Sequence, residues 1–322
     1  MTANATPERG DDAPAGRVDA TGGGLGYMAQ AAFWFAMMSL CVKLAGQRLP
    51  TMQVVFVRAC FTLLLSAIGL WHARIAPFGR RTGLLLFRGL VGSGGLICFY
   101  AAVVHLPLAE ATVIHQTSPV LTAVLAALLL GERLEARVLR AMALAFGGVV
   151  LIARPATLFA TWSGRADAGP QLPWQFVGIA LLGAMLAAAA YVTVRRLGRS
   201  EPPLLVVFYF PVVTVPLAAP FALPQWVWPD AGEWLLLVGV GVTTQIAQIA
   251  LTKGLSREPA GRAMAVGYLQ IAFATLAGSV AFGTLPDAWS WAGMASIGAS
   301  LFVIGRPGRI ATGRNSVHRD SH

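Results

Sequence analysis

Charged residues are scarce in this 322-residue chain: they make up 12% of it, whereas hydrophobic residues make up 56%. Soluble domains carry about 25% charged residues, so the composition excludes an ordinary soluble protein. The three cysteines, Cys41, Cys60 and Cys98, have neither a paired spacing nor a metal-binding spacing. We interpret them as small packing residues, and we expect no metal ion and no cofactor.

Long apolar segments dominate the rest of the chain. A helix of about 20 residues crosses the hydrocarbon layer, and these segments lack the alternation of barrel strands. They predict an all-α polytopic membrane protein with ten transmembrane helices. The predicted spans are Leu25–Gly46, Met52–Trp71, Gly83–Val104, Ala109–Leu130, Val138–Ala153, Trp174–Val194, Leu204–Leu223, Trp234–Thr252, Ala263–Phe282 and Trp289–Gly305.

Arginine is concentrated on one side of these spans. Most of the 24 Lys and Arg residues lie in the even-numbered connections or in the terminal segments, as Arg80, Arg133, Arg196 and Arg262 do. Basic connections stay in the cytoplasm, so we predict cytoplasmic termini and a bacterial inner membrane. This bias also accounts for the net charge of +10. We therefore expect the lipid bilayer, and not nucleic acid, as a partner.

The chain divides into two halves of five spans. Residues 1–24 lack the apolar region of a signal peptide and predict a disordered tail. A first repeat at 25–153, a linker at 154–173, a second repeat at 174–306 and a basic tail at 307–322 follow. Because five is odd, the second repeat is inverted in the membrane. Inverted repeats place a substrate site at their interface and support alternating access.

The first half contains five short motifs: Arg88-Gly89-x-x-Gly92, Phe99-Tyr100-Ala101-Ala102, Leu106-Pro107-Leu108-Ala109-Glu110-Ala111, Ser118-Pro119 and Leu130-Gly131-Glu132-Arg133. Together they resemble the EamA-type family of the drug/metabolite transporter superfamily. The resemblance covers residues 25–306 and implies ten spans, a central cavity and transport of small metabolites. In the family the second repeat usually also ends in Gly-Glu, whereas here Thr284 follows Gly283.

Span four contains the most polar mid-membrane cluster. Thr112, His115 and Pro119 share one helix face, and Gln116 lies beside them. Pro119 removes a backbone hydrogen bond, which suits a kinked helix that lines a cavity. We predict a substrate-binding role for this cluster, and interhelical hydrogen bonding is the alternative.

Polar side chains on three other spans complete the predicted site. Tyr268 and Gln270 lie in span nine, Gln245 and Gln248 in span eight, and Tyr100 in span three. Each is costly in lipid without a hydrogen-bond partner, so each is expected to face the bundle. Contact with substrate and contact with neighbouring helices are both open for these residues.

Three cations, Lys43, Arg58 and Arg88, lie within the predicted spans. Lys43 is near a helix C-terminus, where snorkelling explains it. Arg58 and Arg88 are deeper, and Glu110 is the one carboxylate available to them in the spans. An unpaired charge is costly there, so we predict a substrate with an anionic group, such as an amino acid. A structural role for both arginines is the alternative.

These features favour an alternating-access secondary transporter for a small metabolite, an amino acid or another anionic or zwitterionic compound. An intramembrane enzyme is the alternative from another class, but the chain lacks His-Glu-x-x-His and Gly-x-Ser-x-Gly motifs. It also lacks the repeated selectivity element of a channel. Uptake and efflux both remain open, and so does a homodimer.

Energy coupling is a separate question, and His115 is the residue that bears on it. It is the deep side chain whose unperturbed pKa, about 6.5, suits proton coupling. Transport without a proton and a plain hydrogen-bonding role for His115 are the alternatives.

Overall fold

The computed structural model describes residues 23–158 and 172–305, and within these ranges all regular structure is helical. Ten candidate membrane spans are found there, which confirms the prediction of a polytopic helical protein. The helices are α1 Gly23–Ala45, α2 Thr51–His72, α3 Thr82–His105, α4 Leu108–His115, α5 Ser118–Leu130, α6 Ala136–Ala153, α7 Trp174–Leu197, α8 Pro203–Ala222, α9 Ala231–Arg257, α10 Ala260–Gly267, α11 Leu269–Phe282 and α12 Ala288–Gly305.

Several helices extend beyond the predicted boundaries. The clearest case is α9, which reaches Arg257, so Lys253 and Arg257 lie in a helix and not in a connection. Gly23 and Gly24, which were assigned to the tail, begin α1. The remainder of the predicted N-terminal tail, the predicted C-terminal tail and most of the linker lie outside the described residues.

Spans four and nine are each built from two helices and not from one. In span four the break follows His115, and the next helix carries Pro119 in its first turn, where a missing N–H costs least. In span nine the break falls at Tyr268, which lies between the end of α10 and the start of α11. The sequence predicted a kink at Pro119, whereas the second break, beside Gly267, was not predicted.

The two broken spans begin and end alike. Pro107 and Pro259 precede their first helices with φ/ψ of −55°/140° and −53°/140°. Gly131 and Gly283 follow their last helices with φ of 67° and 64°, a left-handed conformation that glycine adopts without steric cost. Each proline and each glycine is separated from its counterpart by the same number of residues, as expected for a repeat.

The repeats pack crosswise on one another. In the first half α3 packs against α7 and α8, and in the second half α9 packs against α1 and α2. Both interfaces use a glycine at the same repeat position. A Cβ on Gly89 would lie 2.8 Å from the Tyr209 carbonyl oxygen, and one on Gly241 would lie 2.5 Å from Phe61 Cβ. Such close approach is the usual basis of helix association in membranes, and it supports the two-repeat architecture.

Candidate functional site

The bundle has two ends that differ in packing. We call the end where α1 begins and α12 ends the terminal end, and the opposite one the distal end. At the terminal end α5 packs against α10. At the distal end the equivalent helices, α4 and α11, are both fully described and do not pack closely against each other. The bundle is therefore closed at the terminal end and open at the distal end.

Burial follows the same division. The helix α10 buries most of its residues, including Ala260, Gly261 and Met264. Its counterpart α4 buries only Glu110 and Ala111. Similarly, α5 buries a row of residues from Ser118 to Ala126, whereas its counterpart α11 buries Ala272 alone. Because α4 and α11 do not pack closely and remain partly exposed, we infer that they border a cleft that leads from the distal end to the helix breaks.

The two helix breaks meet at the base of this cleft. The Tyr268 hydroxyl donates a hydrogen bond of 2.9 Å to the Gln116 carbonyl oxygen, and Tyr268 is fully buried. Gln116 and Tyr268 occupy the same position in their repeats. The bond therefore lies close to the pseudo-two-fold axis that relates the halves, where inverted-repeat transporters bind their substrates.

His115 lies beside this contact, at the end of α4. Its ring is 4.4 Å from that of Phe99, and its buried Nδ1 atom has no hydrogen-bond partner among the described residues. Phe99 also contacts the ring of Tyr100, at 5.7 Å. Thr112 is partly exposed on the same helix as His115, and Gln270 is partly exposed on α11. Most of the predicted site residues thus lie on the distal side of the breaks or beside them.

Arg88 and Gln248 form a second group, on the terminal side. The Arg88 side chain is buried, its Nη2 atom donates to Gln248 Oε1 at 3.2 Å, and its guanidinium stacks 4.5 Å from the centre of the Phe210 ring. Its Nε and Nη1 atoms have no hydrogen-bond partner within the described ranges. A charged group with two unsatisfied donors is a strong candidate for binding an anion.

Arg58 is the corresponding cation on the distal side. It is 7% exposed, and its Nη1 atom lies 3.8 Å from the Met38 sulfur, a weak acceptor. Glu110, the carboxylate predicted to be available, instead accepts a bond of 2.7 Å from the Ala156 amide. None of the acidic residues in the described ranges forms an ion pair with either Arg58 or Arg88.

Gln245 hydrogen-bonds to a side chain of a helix in the opposite half. Its Nε2 atom lies 2.9 Å from the Ser66 hydroxyl oxygen of α2, and the Ser66 hydroxyl can also reach Gln245 Oε1 at 3.1 Å. This contact joins the two halves and uses both polar ends of the amide. The Gln245–Ser66 contact is interhelical, and a contact of Gln245 with substrate stays a prediction.

The closed terminal end contains an ion pair that sequence reasoning missed. Glu132 Oε1 accepts a bond of 2.7 Å from Arg195 Nε, and Glu132 Oε2 accepts one of 2.7 Å from the Ala260 amide at the start of α10. Arg195 Nη1 also donates to the Leu255 and Ser256 carbonyl oxygens, both at 2.9 Å. The Leu130-Gly131-Glu132 motif was a signal for Glu132, whereas Arg195 directly follows the predicted sixth span and is one of many basic residues at that side.

Among the described residues, the distal end has ion pairs at other positions, Arg154–Asp287 at 2.6 Å and Arg48–Glu233, but none at the repeat position of Glu132. Thr284 stands where the repeat would place the counterpart of Glu132, and Lys43 stands at the position of Arg195. The Lys43 ammonium instead lies 4.4 Å from the centre of the Phe282 ring. The two ends therefore use the same repeated framework with different polar contacts.

Comparison with known proteins supports these observations. The model of the EamA-like transporter family matches residues 22–154 and again 175–306. The pseudopaline exporter CntI of Pseudomonas aeruginosa is 31% identical over 277 residues, which cover 86% of this chain and 93% of that protein. Solute carrier family 35 member G1 of Mus musculus is 29% identical and covers 92% of this chain and 80% of that protein.

A protein of known crystal structure has the same fold. It superposes with a TM-score of 0.75 over 87% of this chain and 95% of that one, at 20% sequence identity. The likeness extends through both halves, so the arrangement of ten spans described above recurs in an experimentally solved protein.

Proposed function

This chain belongs to the EamA-like transporter family and is a membrane transporter of small metabolites; we propose that it works by alternating access on a substrate with an anionic group. The observation that carries the proposal is the difference between the two ends of one repeated framework. A cleft open at one end and closed at the other, with polar side chains at its base, is one state of such a cycle.

In this cycle the two helix pairs exchange roles. The substrate enters from the distal end and reaches His115, Gln116 and Tyr268 between α4 and α11. Approach of α4 to α11 then closes the distal end, while separation of α5 from α10 opens the terminal end. The repeat supports this exchange, because each pair can adopt the packing of the other. The Tyr268–Gln116 contact lies between the two pairs, where the motion is smallest.

The two arginines support the proposed substrate chemistry. Arg58 is about 10 Å along α2 from the distal end, and Arg88 is about 9 Å along α3 from the terminal end, at 1.5 Å per residue. One cation therefore lies on each side of the helix breaks, and neither is paired with a carboxylate. An anionic group of the substrate would provide the missing counter-charge in each state of the cycle.

The orientation and direction of transport belong to the same proposal. The arginine-rich connections lie at the terminal end, and basic connections stay in the cytoplasm. We therefore place the terminal end in the cytoplasm of a bacterial inner membrane, with the open cleft facing outward. The relative named as an exporter supports export as the first direction to test. The relatives are named as transporters, and no enzyme reaction is proposed.

A binding screen tests the substrate class. Specific ligands raise the thermal unfolding temperature of a purified protein by mass action, so metabolites can be ranked by their effect. We expect the ligands found in this way to carry a carboxylate or another anionic group, and their neutral amide or ester analogues to have no effect. A set of ligands without any anionic group would contradict the proposal.

Arg88→Gln is the informative variant, and Arg140→Gln is its matched control. Arg140 is an exposed arginine of α6 whose Nε donates only within its own helix, to the Ala136 carbonyl oxygen. We expect Arg88→Gln to abolish the ligand-dependent stabilisation and transport, and Arg140→Gln to keep both. Equal binding and transport by Arg88→Gln and wild type would show that Arg88 has only a structural role.

A further inference from the structure

A separate cavity of about 370 Å³ lies at the terminal end, outside the central cleft. Its volume falls within the range of ordinary small-molecule sites. It is formed where the α2–α3 connection, the end of α5 and the α7–α8 connection come together. The lining residues are Arg81, Leu129, Leu130, Arg196, Arg199 and Ser200.

The charge of this cavity is largely uncompensated. The side chains of Arg81 and Arg196 make no hydrogen bond or ion pair with any described residue. Arg199 has one distant partner, Glu132, at 4.0 Å, and remains 59% exposed. Glu132 is already engaged by Arg195 and the Ala260 amide. Three guanidinium groups thus surround one cavity without an acid of their own.

Glu201 is the other carboxylate near this cavity, and it is also engaged. Its Oε1 atom accepts a bond of 2.8 Å from the Arg81 backbone amide, and its side chain is buried. Its contact is therefore to the backbone of the α2–α3 connection and not to a guanidinium of the cavity. The cavity remains suited to an anion.

The apolar wall of the cavity continues into the outer surface of the bundle. Leu129 is 67% exposed, and its neighbour Leu128 is 75% exposed. Because α5 is part of a membrane span, such exposed leucines face acyl chains. A ligand in this cavity can therefore place an anionic group among the arginines and apolar chains against α5.

We propose that this cavity binds the phosphate group of an anionic phospholipid. Guanidinium groups recognise phosphate oxygens through paired hydrogen bonds, and basic pockets between transmembrane helices bind lipid headgroups. The lipid would join three segments of the closed terminal end, beside the Glu132–Arg195 ion pair. Its occupancy would therefore stabilise the closed state of that end.

Thermal unfolding in detergent tests the site. Phosphatidylglycerol, phosphatidylcholine and soluble glycerol phosphate are each added to wild type, to Arg196→Gln/Arg199→Gln and to the control Arg140→Gln. We expect phosphatidylglycerol to raise the unfolding temperature of wild type and Arg140→Gln by several degrees. The double variant should lose most of this rise, and the single variant Arg81→Gln should lose part of it.

The three added compounds distinguish the possible ligands. An equal rise with phosphatidylcholine, or an equal rise in the double variant and wild type, would overturn the site. An equal rise with glycerol phosphate would overturn the lipid assignment in favour of a soluble phosphate compound. If the double variant did not fold, Arg81→Gln would decide, because a full wild-type response in that variant contradicts the proposal.

Discussion

The terminal and distal ends of this transporter are built from the same repeated segment but are held by different contacts. At the terminal end Glu132 joins Arg195 to the start of α10. At the distal end Thr284 replaces the acid, and Lys43 lies over the Phe282 ring. The backbone that surrounds them is alike, since Gly131 and Gly283 end their helices with nearly the same φ.

This difference separates what the repeat determines from what single residues determine. The repeat gives both ends a helix pair that can pack or separate. The ion pair, whose side chains are only 10% and 12% exposed, adds stabilisation at one end. A cation over an aromatic ring, such as Lys43 over Phe282, contributes about 0.5–1 kcal/mol at exposed sites. This is less than the contribution expected of the Glu132–Arg195 ion pair. The two distal ion pairs, Arg48–Glu233 and Arg154–Asp287, each include an arginine that is about half exposed, at 52% and 44%, and exposed pairs contribute little. The terminal end is therefore the end expected to be closed at rest.

The largest effect is expected when the terminal ion pair is broken. Removal of one partner of a fully buried pair costs about 3–5 kcal/mol. Since Glu132 and Arg195 keep some exposure, we expect Glu132→Gln to cost about 2 kcal/mol, or roughly a 30-fold higher population of the opened terminal end. The measurement is thiol labelling of Ala123→Cys, a position buried in α5, after replacement of Cys41, Cys60 and Cys98.

Glu135→Gln is the matched control for this experiment. Glu135 lies at the same end and pairs with Arg137 at 2.7 Å, but its side chain is 53% exposed. Exposed pairs contribute little, so labelling should match that of the parent. A labelling rate for Glu132→Gln that also matched the parent would mean that the ion pair does not hold the terminal end closed.

A smaller and opposite effect is expected when the missing acid is restored at the distal end. Thr284→Glu places a carboxylate two residues after Phe282, whose ring contacts Lys43. We expect about 1 kcal/mol of added stabilisation, or roughly fivefold slower labelling of Gly278→Cys. A Cβ at Gly278 meets open space in the present state. Thr284→Gln is the control, and Lys43→Ala should cancel the effect of the glutamate.

Removal of the contact between the helix breaks should change stability only slightly. Tyr268→Phe loses one buried hydrogen bond, which contributes about 1 kcal/mol, so we expect the unfolding temperature to fall by about 2 °C. Tyr209→Phe is a matched control, because Tyr209 donates a similar bond of 3.0 Å to the Pro77 carbonyl oxygen. Both variants should lose similar stability, but Tyr268→Phe alone should alter transport. Equal transport by the two variants would contradict a role for the central bond.

Much of the fold could be predicted from the sequence, because span length and apolar composition depend on the bilayer and not on tertiary contacts. The ten spans and the two repeats follow from these rules. The break at Tyr268 could not be predicted in this way. It contains no proline, and Gly267 alone does not distinguish a break from a close-packed helix position.

The candidate site was only partly predictable, for a related reason. Polar residues in the spans, such as His115 and Arg88, stand out by their cost in lipid. Whether each meets a partner depends on contacts between distant helices. Gln245 meets Ser66, whereas Arg88 keeps two unsatisfied donors. The Glu132–Arg195 ion pair could not be predicted, because the charge bias of cytoplasmic connections already explains an arginine at the end of a helix.

The smallest effect is expected for His115, whose counterpart in the other helix break is Gly267. Its ring contacts Phe99, and no carboxylate among the described residues hydrogen-bonds to it. A single histidine without an acid is a poor proton relay, and glutamine keeps a hydrogen-bonding side chain for the substrate at this position. We therefore expect His115→Gln to keep downhill exchange, and any accumulation driven by a pH gradient, within about twofold of wild type. The measurement is substrate uptake by proteoliposomes, with and without an imposed pH gradient.

His105→Gln is the control for this experiment, since His105 also stacks on a phenylalanine, Phe176, but is exposed. If His115→Gln lost gradient-driven accumulation and kept downhill exchange, His115 would be the proton-coupling residue after all, and the two helix breaks would differ in chemistry as well as in shape.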